Sequence, residues 1–145
     1  MITSSKRTAR LVLVEDNPGD VGLFRWALDQ AHIEYELTVI QDGGAALDLI
    51  RQEESSSEPN VPDLVVLDLN LPKANGREIL AAMRSAKAFE NVPVVIWTSS
   101  KAMTDRAQLD MLRVTRYLVK PSELREFATL GVSISELLND FPRRS

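Results

Sequence analysis

The sequence predicts an α/β fold, a three-layer sandwich around a parallel five-stranded sheet. Three observations point there. Short runs of consecutive apolar residues recur at 11–14, 64–67 and 92–97, which suits strands buried on both faces. Between them lie segments whose apolar residues repeat at helical spacing. Strands separated by helices pair in parallel through right-handed crossovers.

The elements follow in order. Residues 11–14 form the first strand, and Asn17, Pro18 and Gly19 place a loop over 16–20. Val21, Phe24, Leu28 and Ala31 give the first helix its apolar stripe. Residues 35–40, rich in β-branched and aromatic side chains, are the second strand. Asp42-Gly43-Gly44 reads as a turn, and Ala46, Leu47 and Ile50 face inward from the next helix. Residues 53–62 hold Ser55-Ser56-Ser57 and two prolines, a surface loop. The third strand ends at Asp68.

Asn75 can cap a helix with Ile79, Leu80 and Met83 inward. The fourth strand spans 92–97, with Pro93 tolerable only at its start. A helix over 103–112 has a weak apolar face, and 115–119 is a short fifth strand. Ser122 can cap the last helix, with Leu124, Phe127, Ile134 and Leu138 inward and Gly131 costing roughly 1 kcal/mol against alanine. Five βα units without repeat fit the doubly wound, flavodoxin-like order 2-1-3-4-5.

Composition narrows the function. A chain of 145 residues, 44% hydrophobic, has the length of one domain and enough apolar content for a core. The net charge of −4 argues against a nucleic-acid partner held through phosphates. There is no cysteine and a single histidine, His32, so thiolate and multi-histidine metal sites are excluded. His32 reads as a solvated residue near the end of the first helix. No apolar run approaches a membrane span and no secretory leader is visible, so a cytoplasmic location is expected.

The chemistry collects at strand ends. In the order 2-1-3-4-5, the first and third strands are neighbours, and their C-terminal ends bring Glu15, Asp16 and Asp68 together. Clustered carboxylates repel unless a cation is present. Mg²⁺ takes oxygen ligands and commonly one or two carboxylates plus phosphate. An Asp carboxylate can attack phosphorus to give an aspartyl phosphate, and the outer phosphoryl oxygens then need cationic and hydrogen-bonding partners. Thr98 and Lys120 end the fourth and fifth strands. Singly, Asp68 could be a turn former, Glu15-Asp16 loop residues, and Thr98 and Lys120 ordinary surface groups. Their shared position at one edge of one sheet makes them a candidate site.

These residues carry a resemblance. Leu-Val-Leu-Val-Glu15-Asp16-Asn, Leu-Val-Val-Leu-Asp68-Leu-Asn-Leu-Pro72-Lys-Ala-Asn-Gly76, Val-Pro-Val-Val-Ile-Trp-Thr98-Ser and Tyr117-Leu-Val-Lys120-Pro121 together resemble the receiver domain of a bacterial two-component response regulator. The likeness covers about 8–140, with 1–7 and 141–145 as flexible termini and no room for an output domain. The phrases around Asp16 and Asp68 further resemble small single-domain regulators paired with bacterial phytochromes.

The resemblance implies a phosphorylation switch. Asp68 accepts a phosphoryl group from a sensor histidine kinase. Asp16 and Asp68 bind Mg²⁺ directly, Glu15 through water and Asn70 through its backbone carbonyl. Thr98 and Lys120 contact the acyl phosphate, and Tyr117 is the aromatic switch residue. A cis Lys120–Pro121 bond is also implied. Output passes to a protein partner or a homodimer through the last strand and helix, where Val132, Leu137 and Phe141 add apolar surface. Catalysis is limited to self-phosphorylation from small donors and autodephosphorylation. A Mg²⁺-dependent phosphohydrolase is the alternative, but Asn70, two residues after Asp68, cannot protonate a leaving group. A degenerate receiver serving only as an interaction module is the other alternative, set against a full complement of key residues. Three positions depart from the family pattern: Glu15 replaces the commoner Asp, Ser99 stands where Ala is frequent, and 112–116 lacks a small turn residue.

Overall fold

Five parallel strands in the order β2-β1-β3-β4-β5 organise the computed structural model, which describes residues 8–99 and 109–140. The elements are β1 (Ala9–Val14), α1 (Pro18–Gln30), β2 (Tyr35–Ile40), α2 (Gly43–Glu54), β3 (Leu64–Leu67), α3 (Gly76–Ser85), β4 (Val94–Thr98), β5 (Arg116–Val119) and α4 (Phe127–Asp140). Residues 103–108 of the helix expected over 103–112 lie outside the described residues, as do the two termini and Phe141; Leu109 and Asp110 are helical.

The continuous apolar runs are explained by burial on both sheet faces. Leu11 and Leu13 of β1, Leu64 and Val66 of β3, and Val95 and Trp97 of β4 pack with α1 and α4. Val12, Val14, Val65, Leu67, Val94 and Ile96 point the other way, against Ile50 of α2 and Ile79, Leu80 and Met83 of α3. Period-two side-chain direction thus divides one apolar run between two cores. Trp97 is in the core, tilted against Phe24 at 5.5 Å and edge-on to Phe127 at 6.1 Å. Gly131 is required for close approach: a Cβ there would collide with the Ala27 carbonyl oxygen of α1.

Several local expectations are corrected. The loop at 16–20 is shorter, because Asn17 Oδ1 accepts the Asp20 amide and caps α1, with Pro18 in its first turn. Proline is pre-organised for that position. Asp42 is likewise an N-cap, accepting the Ala45 amide at 2.8 Å, so Gly43 and Gly44 open α2 rather than form a turn. Asn75 caps α3 as expected.

Ser122 does not cap the last helix. The chain first makes a 3₁₀ turn, Leu124–Glu126, before α4 begins at Phe127. That shift carries Leu124 out of the core to 59% exposure. Leu137 is buried core rather than extra surface. The Lys120–Pro121 bond is trans, like every described peptide bond; trans is the lower-energy isomer for X–Pro when no tertiary contact opposes it.

Candidate functional site

The C-terminal ends of β1, β3, β4 and β5 meet at one edge of the sheet. Asp68 follows β3 directly and is buried, its amide donating to the Val14 carbonyl of β1 at 3.1 Å. The following loop folds back tightly, and Gly76 lies where a Cβ would meet the Asp68 carbonyl oxygen at 2.5 Å. Backbone on both sides therefore fixes the main chain from which the Asp68 carboxylate projects.

Its oxygens have distinct partners. Oδ1 accepts from Thr98 Oγ1 at 2.6 Å and from the Asn70 amide at 3.2 Å. Oδ2 accepts from Lys120 Nζ at 3.0 Å. Thr98 is fully buried at the end of β4. Lys120 follows β5 and is tied by its amide to the Thr98 carbonyl at 2.8 Å.

Glu15 is buried beside them at the end of β1. Its Oε2 accepts the Asn17 amide, and its Oε1 lies 2.6 Å from Lys120 Nζ. That approach is an ion pair without hydrogen-bond geometry, so Oε1 is a buried oxygen with no aligned donor. Burial pushes the Glu15 carboxyl up to about 7, against the opposing pull of Lys120 and with the repulsion of Asp68. Burial pulls the Lys120 ammonium down, but its carboxylate neighbours outweigh this and hold it above the ordinary lysine range.

Asp16 is exposed at the mouth of the site. One oxygen each from Glu15, Asp16 and Asp68 falls within 4.8 Å of the others. All-oxygen donors, excess negative charge and a buried oxygen without an aligned donor fit a hard divalent cation. Asn70 is exposed in the loop after β3, and its amide faces Asp68. Tyr117 lies in the middle of β5, half-buried, with its hydroxyl donating to Asp110 Oδ1 at 2.6 Å. His32 is exposed just after α1 in a left-handed conformation, φ 57°, as a helix-terminating residue.

Two participants escaped the sequence reading. Asp20, in the first turn of α1, reaches Lys120 Nζ with Oδ2 at 2.9 Å. Its place in the cap of α1 was the available signal, obscured while 16–20 read as loop. Trp97 presents its ring to the same ammonium, 5.1 Å from the centroid; a cation over an indole face is attracted by the ring quadrupole. Among the described residues no helix is long and apolar enough to cross a membrane.

Comparison with known proteins agrees with this geometry. Residues 11–130 match the family model described as the response regulator receiver domain. The chain is 35% identical over 116 residues to response regulator Rcp1 of Synechocystis sp. (strain ATCC 27184 / PCC 6803 / Kazusa), covering 80% of this chain and 79% of that protein. The phosphorylated cyanobacterial phytochrome response regulator RcpA superposes with a TM-score of 0.83 at 33% identity, over 96% of this chain and all 100% of that one. The Mn²⁺-bound form of Rcp1 gives 0.81 at 33% identity, over 94% and 99%. A parallel sheet in the order 2-1-3-4-5, an acidic cluster at its carboxyl edge and a match over 11–130 place this chain in the response regulator receiver domain family.

Proposed function

We propose that Asp68 is the phosphoacceptor of a signalling switch. The observation that supports this most is the convergence of Thr98 and Lys120 on the two oxygens of one buried carboxylate. An Asp68 oxygen attacks phosphorus, the bond from phosphorus to the donor imidazole nitrogen breaks, and an acyl phosphate forms while that nitrogen recovers a proton. Thr98 and Lys120 are placed to receive the new phosphoryl oxygens, where preorganised donors lower the barrier most. Glu15, Asp16, Asp68 and the backbone carbonyl of Asn70 would hold Mg²⁺, which when bound neutralises the acidic cluster and the incoming phosphoryl charge.

Thr98 transmits the change. In the unphosphorylated chain its hydroxyl is spent on Asp68. Recruitment by a phosphoryl oxygen shifts the end of β4, and Tyr117, paired with Ile96 across β4 and β5, repacks. Exposed Val119 of β5, Leu124 of the 3₁₀ turn and Val132 of α4 support output through the last strand and helix, to a protein partner or a second copy. Likeness to RcpA and Rcp1 supports a sensor histidine kinase, of the phytochrome type, as phosphoryl source.

The test is phosphotransfer. Labelled, autophosphorylated kinase is mixed with the chain and Mg²⁺. A hydroxylamine-labile label on the chain is the expected result. A label stable to hydroxylamine, or none with any histidine kinase, overturns the reading.

A further inference from the structure

Lys120 has more carboxylates than its task requires. Its Nζ lies 2.6 Å from Glu15 Oε1, 2.9 Å from Asp20 Oδ2 and 3.0 Å from Asp68 Oδ2. Its hydrogen bonds go to Asp20 and Asp68, and Glu15 Oε1 closes against it as an ion pair, so in the resting chain a phosphoryl oxygen must compete with these carboxylates for the ammonium. One partner must release it before it can bind phosphate.

Burial identifies which one. The Glu15 side chain is 1% exposed and Asp68 8%, whereas Asp20 is 23% exposed. Turning Glu15 away would leave a buried carboxyl without its partner, at a cost that a group able to reach water does not meet. Asp20 can rotate into water. It also stands in the first turn of α1, whose N-terminus favours a released carboxylate there. The Lys120 ammonium over the Trp97 ring keeps its stem in place as partners change.

We infer that Asp20 is a positioning residue for phosphoryl acceptance: it holds Lys120 in the resting state and competes with the phosphoryl group for it. The inference rests on the phosphoacceptor reading of Asp68 and adds a partner exchange to it. Asp20 touches neither donor nor metal in this account and acts only through Lys120.

Asp20→Asn removes the competing charge at nearly constant shape, and Asp20→Glu keeps it. Beryllofluoride affinity is measured at saturating Mg²⁺, in low and in 0.5 M-range salt, which screens exposed charges but spares a direct exchange of partners. In the same chains without metal, the rate of Lys120 acylation is followed by peptide mass spectrometry. Asp20→Asn is expected to bind beryllofluoride roughly fivefold tighter at both salt levels, the size of a partly exposed ion pair. Lys120 should be acylated several-fold faster in that variant, and Asp20→Glu should restore both values toward the wild type. Unchanged or weaker affinity, a gain that vanishes at high salt, or unchanged Lys120 reactivity overturns the inference while leaving Asp68 as acceptor. A wild-type chain that binds no beryllofluoride overturns the phosphoacceptor reading and this inference together.

Discussion

Thr98 Oγ1 donates a 2.6 Å hydrogen bond to Asp68 Oδ1 between the neighbouring strands β4 and β3. Both groups are buried, so neither can substitute water for the other. Thr98→Val keeps the shape and deletes the donor. It should lower folding stability in EDTA by about 1–3 kcal/mol, the cost of leaving a buried acceptor short of a partner. Thr98→Ser should recover most of that loss. Denaturant titration of the three chains checks the order.

Glu15 sets a pH dependence. Its carboxyl is raised from 4.5 to about 7, chiefly by burial. A raised folded-state value means the protonated form is the better folded one. Its stabilising contribution is therefore complete below 4.5 and lost as pH climbs through about 7. In EDTA, the wild type should lose stability relative to Glu15→Gln over that window. Mg²⁺ should shrink the difference, because a cation favours the ionised carboxylate. Thermal melts at stepped pH measure it, and a constant difference between the two chains contradicts the assignment.

Lys120 and a divalent cation compete for the same oxygens. Lys120→Met leaves Glu15, Asp20 and Asp68 without their shared cation. Without metal the variant should be less stable by roughly 2–4 kcal/mol, as when one member of a largely buried pair is removed. Added Mg²⁺ should raise its Tm by more than it raises that of the wild type. Equal shifts would mean the ammonium and the metal do not share ligands.

Much of this architecture was legible in residue order. Runs such as Leu11-Val12-Leu13-Val14 and Leu64-Val65-Val66-Leu67 identify strands covered on both faces, and the polar residues that end them locate the site. Asp68, Glu15, Asp16, Thr98 and Lys120 do fall at one edge. Helix starts were less legible, because Asn17 and Asp42 serve turns and caps with the same side-chain chemistry. Leu124 was misread because helical periodicity does not reveal a 3₁₀ turn ahead of α4.

Long-range partners were least legible. Arg84 of α3 donates to the carbonyls of Phe89, Glu90, Val92, Leu112 and Arg113, joining the segments that precede β4 and β5. This clasp accounts for the missing small residue at 112–116. Arg113 adopts φ 60°, a conformation that normally favours glycine, and Arg84 binds its carbonyl. Asp20 and Lys120 are 100 residues apart, a pairing that only the folded sheet edge creates.

The central claim is that Asp68 takes the phosphoryl group. Intact mass after incubation with Mg²⁺ and acetyl phosphate tests it most directly, with Asp68→Asn alongside. A single phosphoryl adduct on the wild type, absent from Asp68→Asn, is the expected result. No adduct on the wild type, or an equal adduct on both, would contradict the account.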